Sequence, residues 1–190
     1  SSSRGLGDVY KRQGLILLAT SGLLFAACSE PPAPVSDTVD PAKRGAELLA
    51  PFKSNLMQAL SSGMQEGPVA AIAVCSEVAP GIADSLSVDG VRMGRSSHKL
   101  RNPDNVPPGW LEPLIAAYAA GGSAMQPQTV ALADGRTGYA EPIIVQPLCL
   151  TCHGTELDPG VAAQIVENYP ADEATGFSEG DFRGVFWVEF

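Results

Sequence analysis

Cys149-Leu150-Thr151-Cys152-His153 constrains this chain more than any other stretch. The five residues read C-x-x-C-H, two thiols three residues apart with an imidazole beside the second. That arrangement suits covalent attachment of a c-type haem. Each thiol adds to one vinyl group of the same porphyrin, and the histidine beside the second thiol is held under the iron. With four cysteines and two histidines in 190 residues, chance would supply the pattern in about one such chain per thousand, so the motif carries weight. A zinc site needs a second ligand pair at matching distance, and only Cys75 and His98 remain, far upstream and unpaired. A thioredoxin-like redox pair needs βαβ surroundings, which the flanking sequence lacks. One covalent haem c is therefore the expected cofactor, attached at Cys149 and Cys152 with His153 on the iron.

The N-terminal stretch indicates the compartment. Gly14 to Ala27 is a 14-residue, mainly apolar run that follows Lys11 and Arg12 and ends in small residues before Cys28. Those are the parts of a secretory signal, and the run is shorter than the roughly 20 residues a spanning helix needs. Leu24-Phe25-Ala26-Ala27-Cys28 resembles a bacterial lipobox, so cleavage before Cys28 would leave its thiol to carry a diacylglyceryl group. Ser29 after the cysteine fits delivery to the outer membrane. Ser1 to Gln13 has no initiating methionine, resembles translated adapter sequence, and is set aside from fold reasoning. Residues 1–27 thus read as a signal segment, 28–40 as a lipidated, Pro-rich linker, and 41–190 as one folded domain in the periplasm.

Taking away the three basic residues and one acidic residue of 1–27 from the chain's 12 and 21 leaves 9 and 20, a net charge of −11. Two haem propionates would add to this. Such acidity repels nucleic acid and favours a basic redox or signalling partner.

Within the domain, Asp40 can cap a helix opened by Pro41. Ala46, Leu49, Phe52, Leu56 and Leu60 follow at three- and four-residue spacing, predicting a helix from Pro41 to about Ser62. Val69 to Val74 reads as a buried strand or the approach to a helix. Ser76 to Leu86 reads as a short helix disturbed by Pro80. A strand at Val91 to Gly94 precedes a loop-like stretch, Arg95 to Gly109, broken by prolines and asparagines. A helix is expected over Trp110 to Ala120, ended by Gly121-Gly122. Thr129 to Ala133 and Thr137 to Val145 form a hairpin around Asp134-Gly135. Val161 to Asn168 closes as a helix and Gly184 to Phe190 as a strand. No internal repeat is evident. The class is α+β, a small antiparallel sheet with flanking helices and a long N-terminal helix, unlike an all-helical small cytochrome with its motif near the N-terminus.

Lipidation and attachment account for three cysteines and leave Cys75 without a disulfide partner in an oxidising compartment. A small buried hydrophobe is one reading; a sixth iron ligand opposite His153 is the other. Met57, Met64, Met93, Met125 and His98 are further candidates for that position. Arg95, Arg101 and Arg183 suit either haem propionates or structural ion pairs. Trp110 and Tyr139 read as haem-packing or core residues, and Asn102 and Asn105 as turn formers.

Several blocks carry a resemblance: Ala71 to Pro80 (AIAVCSEVAP), Gly94 to Asn105 (GRSSHKLRNPDN), Cys149 to Gly154, Tyr169 to Asp172, Ala174 to Phe177, and Gly180 to Gly184. Together, and in this order, they are similar to a family of single-haem c-type domains with a PAS-like fold, across nearly all of Pro41 to Phe190. The resemblance implies a Cys/His-ligated iron, with Cys75 and His153 as the axial pair. It also implies that His98 is incidental, since the family more often has an apolar residue there. Family members occur alone or as sensor modules ahead of histidine kinases, and for this chain no output after the domain is expected.

A thiolate stabilises Fe(III) over Fe(II), so a low reduction potential and a low-spin ferric resting state are expected. Two filled axial positions disfavour enzymatic haem chemistry, leaving a redox- or gas-responsive sensor first and a membrane-tethered electron carrier second. Replacing the proposed thiolate should be visible directly: Cys75→Ser is expected to change the ferric visible and EPR spectra, and unchanged spectra would remove Cys75 from the iron.

Overall fold

The computed structural model describes residues 39–121 and 125–190. The signal segment, Cys28 and nearly all of the linker lie outside them. Helix α1 (Pro41–Glu66) starts where the sequence indicates, with the Asp40 carboxylate accepting from the Ala42 amide at 3.0 Å. It runs a turn beyond Ser62 because its packed stripe of Gly45, Leu49, Phe52 and Leu56 continues through Gly63, which lies against Ala71 and Val74. Pro51 sits inside α1 on its exposed side.

The chain turns at Gly67 and re-enters helix: α2 (Pro68–Ala73), a π-helical turn (Val74–Val78), and α3 (Ala79–Leu86) follow without a break. Val69 to Val74 is therefore helical. A short apolar run has the same hydropathy as a strand or as a helix, and here Pro68 at the first turn decides for the helix. The π turn precedes Pro80, whose ring would meet the carbonyl four residues back in a regular helix; widening the turn relieves that clash. The 19 residues Pro68–Leu86, at hydropathy 1.5, are long and apolar enough to cross a membrane by length and composition. In the fold this run packs on α1 and on β1 (Arg92–Ser96), with Ala71, Ile72 and Ala79 buried.

Helix α4 (Glu112–Ala119) leads to β2 (Gln128–Ala131) and β3 (Thr137–Ile144). Their hairpin turns where Asp134-Gly135 predicts, with Leu132 N donating to Arg136 O at 2.8 Å. Strand β4 (Phe182–Glu189) completes an antiparallel sheet of order β1-β4-β3-β2. One face packs Met93, Tyr139 and Val188 beneath Leu49 and Phe52 of α1; the other packs Ala140, Val185 and Trp187 against Leu111, Ile115 and Tyr118 around α4.

Strands β3 and β4 are neighbours in the sheet, yet 37 residues, 145–181, separate them. This excursion carries α5 (Leu150–His153) and α6 (Pro159–Asn168), and its base is closed by Val145 N to Asp181 O at 2.9 Å and Gly180 N to Val145 O at 3.0 Å. The ladder shifts register between Ile143 and Ile144, so that Arg183 bulges out of β4. Gly184 beside it is needed because any Cβ there would run into the Ser96 carbonyl.

Tyr139 is a core residue, and Trp110 packs, partly buried, against the cluster around α4. Tyr139 is buried between α1 and the sheet, and the Trp110 indole donates to Glu189 Oε1 at 2.8 Å. Glu189 is 2% exposed and also accepts from Arg136 Nη1 at 2.7 Å and Arg92 Nη1 at 3.3 Å. A buried carboxylate with three donors holds β1, the β2–β3 hairpin turn and the Trp110 turn. Glu189→Ala strands those donors and should lower stability by about 3 kcal/mol, read as a fall in the urea midpoint with an unchanged slope.

Candidate functional site

A 3₁₀ turn (Pro147–Cys149) passes directly into the single turn of α5. Gln146 N donates to Cys149 Sγ at 3.4 Å, and Gly154 N closes the helix on Leu150 O at 3.0 Å. Residue 154 must be glycine, because a Cβ would collide with that same carbonyl. Cys149 packs with Val145, Ala174 and Phe177, and Cys152 with Ile72, Val161, Ile165 and Tyr169. Cys75, Cys149 and Cys152 are all free, partly buried thiols.

The His153 ring is tied down at 2.6 Å between Nδ1 and the Ala174 carbonyl. A carbonyl can only accept, so Nδ1 holds the proton and Nε2 keeps its lone pair, with no partner among the described residues. Burial pushes the His153 pKa down to about 3, helped by repulsion from Arg183 and Arg101. The side chain is thus a neutral, oriented imidazole at ordinary pH, the form that binds a metal.

Ala174 O also accepts from Arg101 Nη2 at 3.2 Å. The same nitrogen donates to Cys152 O at 2.6 Å, and Nε donates to Asp172 Oδ1 at 3.0 Å. Arg101 and Asp172 are only 10% and 8% exposed, so this pair is shielded from solvent. Residues 172–177 form a strap over α5, continued by Gly176 N to Gly154 O and Phe177 N to His153 O, each at 3.0 Å.

Cys75 lies on the π turn, and its thiol is near enough to Cys152, Arg95 and Tyr169 to bias their ionisation. Burial pushes the Cys152 thiol up, with Arg101 acting against it. Helix α6 brings the two cysteine-bearing segments together, because Ile72 of α2 and Cys152 of α5 share one cluster with its Val161 and Ile165. Val69 and Val78, flanking Cys75 on the helical run, remain 41% and 45% exposed.

Of the three arginines singled out, Arg101 is committed to Asp172 and two carbonyls. Arg183 Nη1 donates to Ser97 Oγ and Lys99 O, both at 3.1 Å. Arg95 is half-buried on β1 with no hydrogen-bond or ion-pair partner among the described residues. Burial lowers its pKa, and Cys75 and Tyr169 act against that shift. Exposed His98 stacks on Phe182 at 5.5 Å and meets Phe177 edge-on; Phe177 also meets His153 edge-on at 6.3 Å. Met93 lies in the core and Met125 packs against the cluster around α4, while Met57 is 61% exposed.

Asp172 and the Ala174 carbonyl are site residues that motif reasoning missed. Asp172 and Ala174 fall in blocks of the resemblance, but a backbone carbonyl leaves no trace in residue type. Among the described residues no three His, Cys, Asp or Glu side chains converge on one point. The donor set of soft sulfurs and one imidazole suits a group that brings its own equatorial ligands, as a haem does, better than a bare ion.

The depressed His153 pKa has a consequence for the haem-free chain. Its folded value of about 3 lies below the ordinary 6.5, so the unfolded chain takes up the proton first. The associated stability is intact above pH 6.5 and is lost as pH falls from there toward 3. Thermal unfolding between pH 6.5 and 4.5 (about two units within that window) should show a falling midpoint in the haem-free chain and a flatter dependence in His153→Gln.

Comparison with known proteins gives two matches. The Tll0287-like family matches residues 33–190. A solved structure, described as the crystal structure of the cyanobacterial heme-protein Tll0287, superposes with a TM-score of 0.51 at 25% sequence identity, covering 73% of this chain and 91% of that one. No curated protein matches the sequence. A match over residues 33–190, which includes every element of the sheet and both cysteine-bearing segments, makes this chain a member of the Tll0287-like family.

Proposed function

We propose that this chain is an exported c-type haem protein that acts as a redox- or gas-responsive sensor on a PAS-like scaffold. Cys149 and Cys152 would hold the porphyrin, and His153 and Cys75 would bind its iron. The observation that carries the reading is the C-x-x-C-H turn with the His153 Nδ1–H donated to Ala174 O, which leaves Nε2 free for a metal. A relative described as a heme-protein supports it. When bound, the haem supplies a one-electron Fe(III)/Fe(II) couple and, with an axial position vacated, a site for a diatomic ligand.

The protein's own contributions are separable. Arg101 and the strap hold His153 in one tautomer and one orientation. Arg95, half-buried and without a partner among the described residues, lies near the Cys75 thiol, where it would favour an anion: the Cys75 thiolate or a propionate. Cys28 would tether the domain to a bacterial membrane, and the acidic surface would admit a basic redox or signalling partner. No residue is assigned a catalytic role.

The second reading is a tethered electron-transfer cytochrome that keeps both axial ligands throughout. The π turn under Cys75 favours the sensor, since π turns recur at functional sites.

Protein produced with a cytochrome c maturation system should give a single-haem pyridine haemochrome spectrum and keep its pigment through acid-acetone extraction. A colourless or extractable product would overturn the assignment. Once reduced, rapid binding of carbon monoxide or nitric oxide at the Soret band would support sensing, and an inert spectrum with reversible electron uptake would support the electron carrier.

A further inference from the structure

We infer that Ser76 and Asn168 are positioning residues for Cys75, joined by a hydrogen bond that holds the π-helical turn in the register presenting the thiol. The inference rests on the reading of Cys75 as an iron ligand and deepens it, by naming what keeps that ligand in place.

The π turn Val74–Val78 closes with Ala79 N on Val74 O, a wider ring than the regular helix uses. A π turn is in effect one residue inserted into a helix, and expelling it moves one flank by one position, about 100° of rotation. Cys75 would swing with it. Pro80 disfavours the regular register through its clash with the carbonyl four residues back, but neither that clash nor the partly exposed Val74 and Val78 fixes the direction in which Cys75 points, since apolar contact has no preferred direction.

The polar contact at the next residue does have a direction. Ser76 Oγ donates to the carbonyl of Ala73 (3.1 Å) or of Ile72 (3.3 Å), so its lone pair is left to accept from Asn168 Nδ2 at 3.1 Å. The Asn168 amide is itself oriented, since its Oδ1 accepts from Gln164 Nε2 at 2.8 Å. With the oxygen engaged there, the NH₂ end is committed to Ser76.

Asn168 ends α6, and the chain beyond it leads straight to the other side of the site. Tyr169 packs with Ile72 and Cys152, Asp172 pairs with Arg101, and Ala174 O holds His153. Seven residues, 168–174, therefore touch the Cys75 turn at one end and the His153 imidazole at the other. Loss of Cys75 from the iron would be felt along this segment, and breaking the Asn168–Ser76 bond would make that loss easier.

The test uses full-length, haem-loaded ferric protein with imidazole as the probe. In the exchange the Cys75 thiolate leaves with its electron pair and takes a solvent proton, and the imidazole nitrogen supplies the replacing pair; no electron is transferred. The displacement rate is read from the Soret shift. Ser76→Ala and Asn168→Ala should each raise it about tenfold with the starting ferric spectrum unchanged, equivalent to about 1.4 kcal/mol. The double variant should go no further than Ser76→Ala alone, because the Asn168 contact is already lost there. Ser76→Thr, which keeps the hydroxyl, should restore a rate near that of the parent chain.

Rates within twofold of the parent in both single variants, or additive effects in the double, would overturn the positioning role even if melting temperatures fell. If one single variant fails to mature, the other decides by the same criterion. A parent protein lacking a thiolate-ligated ferric spectrum would instead overturn the ligand assignment beneath, a failure seen before any variant is made.

Discussion

A single backbone oxygen, that of Ala174, accepts hydrogen bonds from the His153 imidazole and the Arg101 guanidinium. Ala174 is fully buried, so neither donor shares that oxygen with solvent. The shared acceptor sets the tautomer of one group and the position of the other. Arg101 then reaches onward to the carbonyl of Cys152 and the carboxylate of Asp172, fastening the short helix to the strap that crosses it. A four-residue helix has little stability of its own. It persists here because its last carbonyls and its histidine are held from outside, which keeps two thiols and a ring nitrogen in fixed relation without a large pocket.

The sheet explains how such a small assembly is kept in place. Its two strands β3 and β4 pair along most of their length, and the whole site-bearing segment leaves and re-enters between them through a base closed by two hydrogen bonds. The bulge at the re-entry takes Arg183 out of the ladder and aims it at Ser97 and Lys99, which tightens the stretch leading to Arg101. Local irregularity in the frame therefore serves the site, while the regular parts, with α1 on one face and α4 on the other, supply the buried apolar area.

Much of this was legible in the residues, and what was not has identifiable causes. Asp40-Pro41, the Leu49-Phe52-Leu56 stripe and Asp134-Gly135 announce a helix and a hairpin because their signals are local. The C-x-x-C-H spacing is a local signal too, and the expectation of haem attachment comes from it alone. Val69 to Val74 was ambiguous because periodicity cannot separate a short buried strand from a helix. The π turn left no signature beyond Pro80. Arg101 gave no sign that it serves the protein backbone and Asp172 in place of a propionate, since its partner is 71 residues away and two of its acceptors are carbonyls. Trp110 and Tyr139 were divided between cofactor and core by residue type, and only the sheet placed Tyr139 in the core and Trp110 against it. Odd cysteine arithmetic singled out Cys75, but nothing in the sequence linked Ser76 to Asn168 across 92 positions.

The placement of β4 between β1 and β3 bears on the order of events in folding. Apart from the β2–β3 hairpin, every ladder of the sheet waits for residues 182–189, and the pairing of β1 with β4 spans the greatest sequence separation in the sheet. Such non-local pairing is slow to form. Until it does, the segment bearing Cys149 and Cys152 has no closed base and lies on an open chain. The interval before the last strand docks is therefore one in which both thiols stay open to solvent, and its length is set by the topology of the sheet.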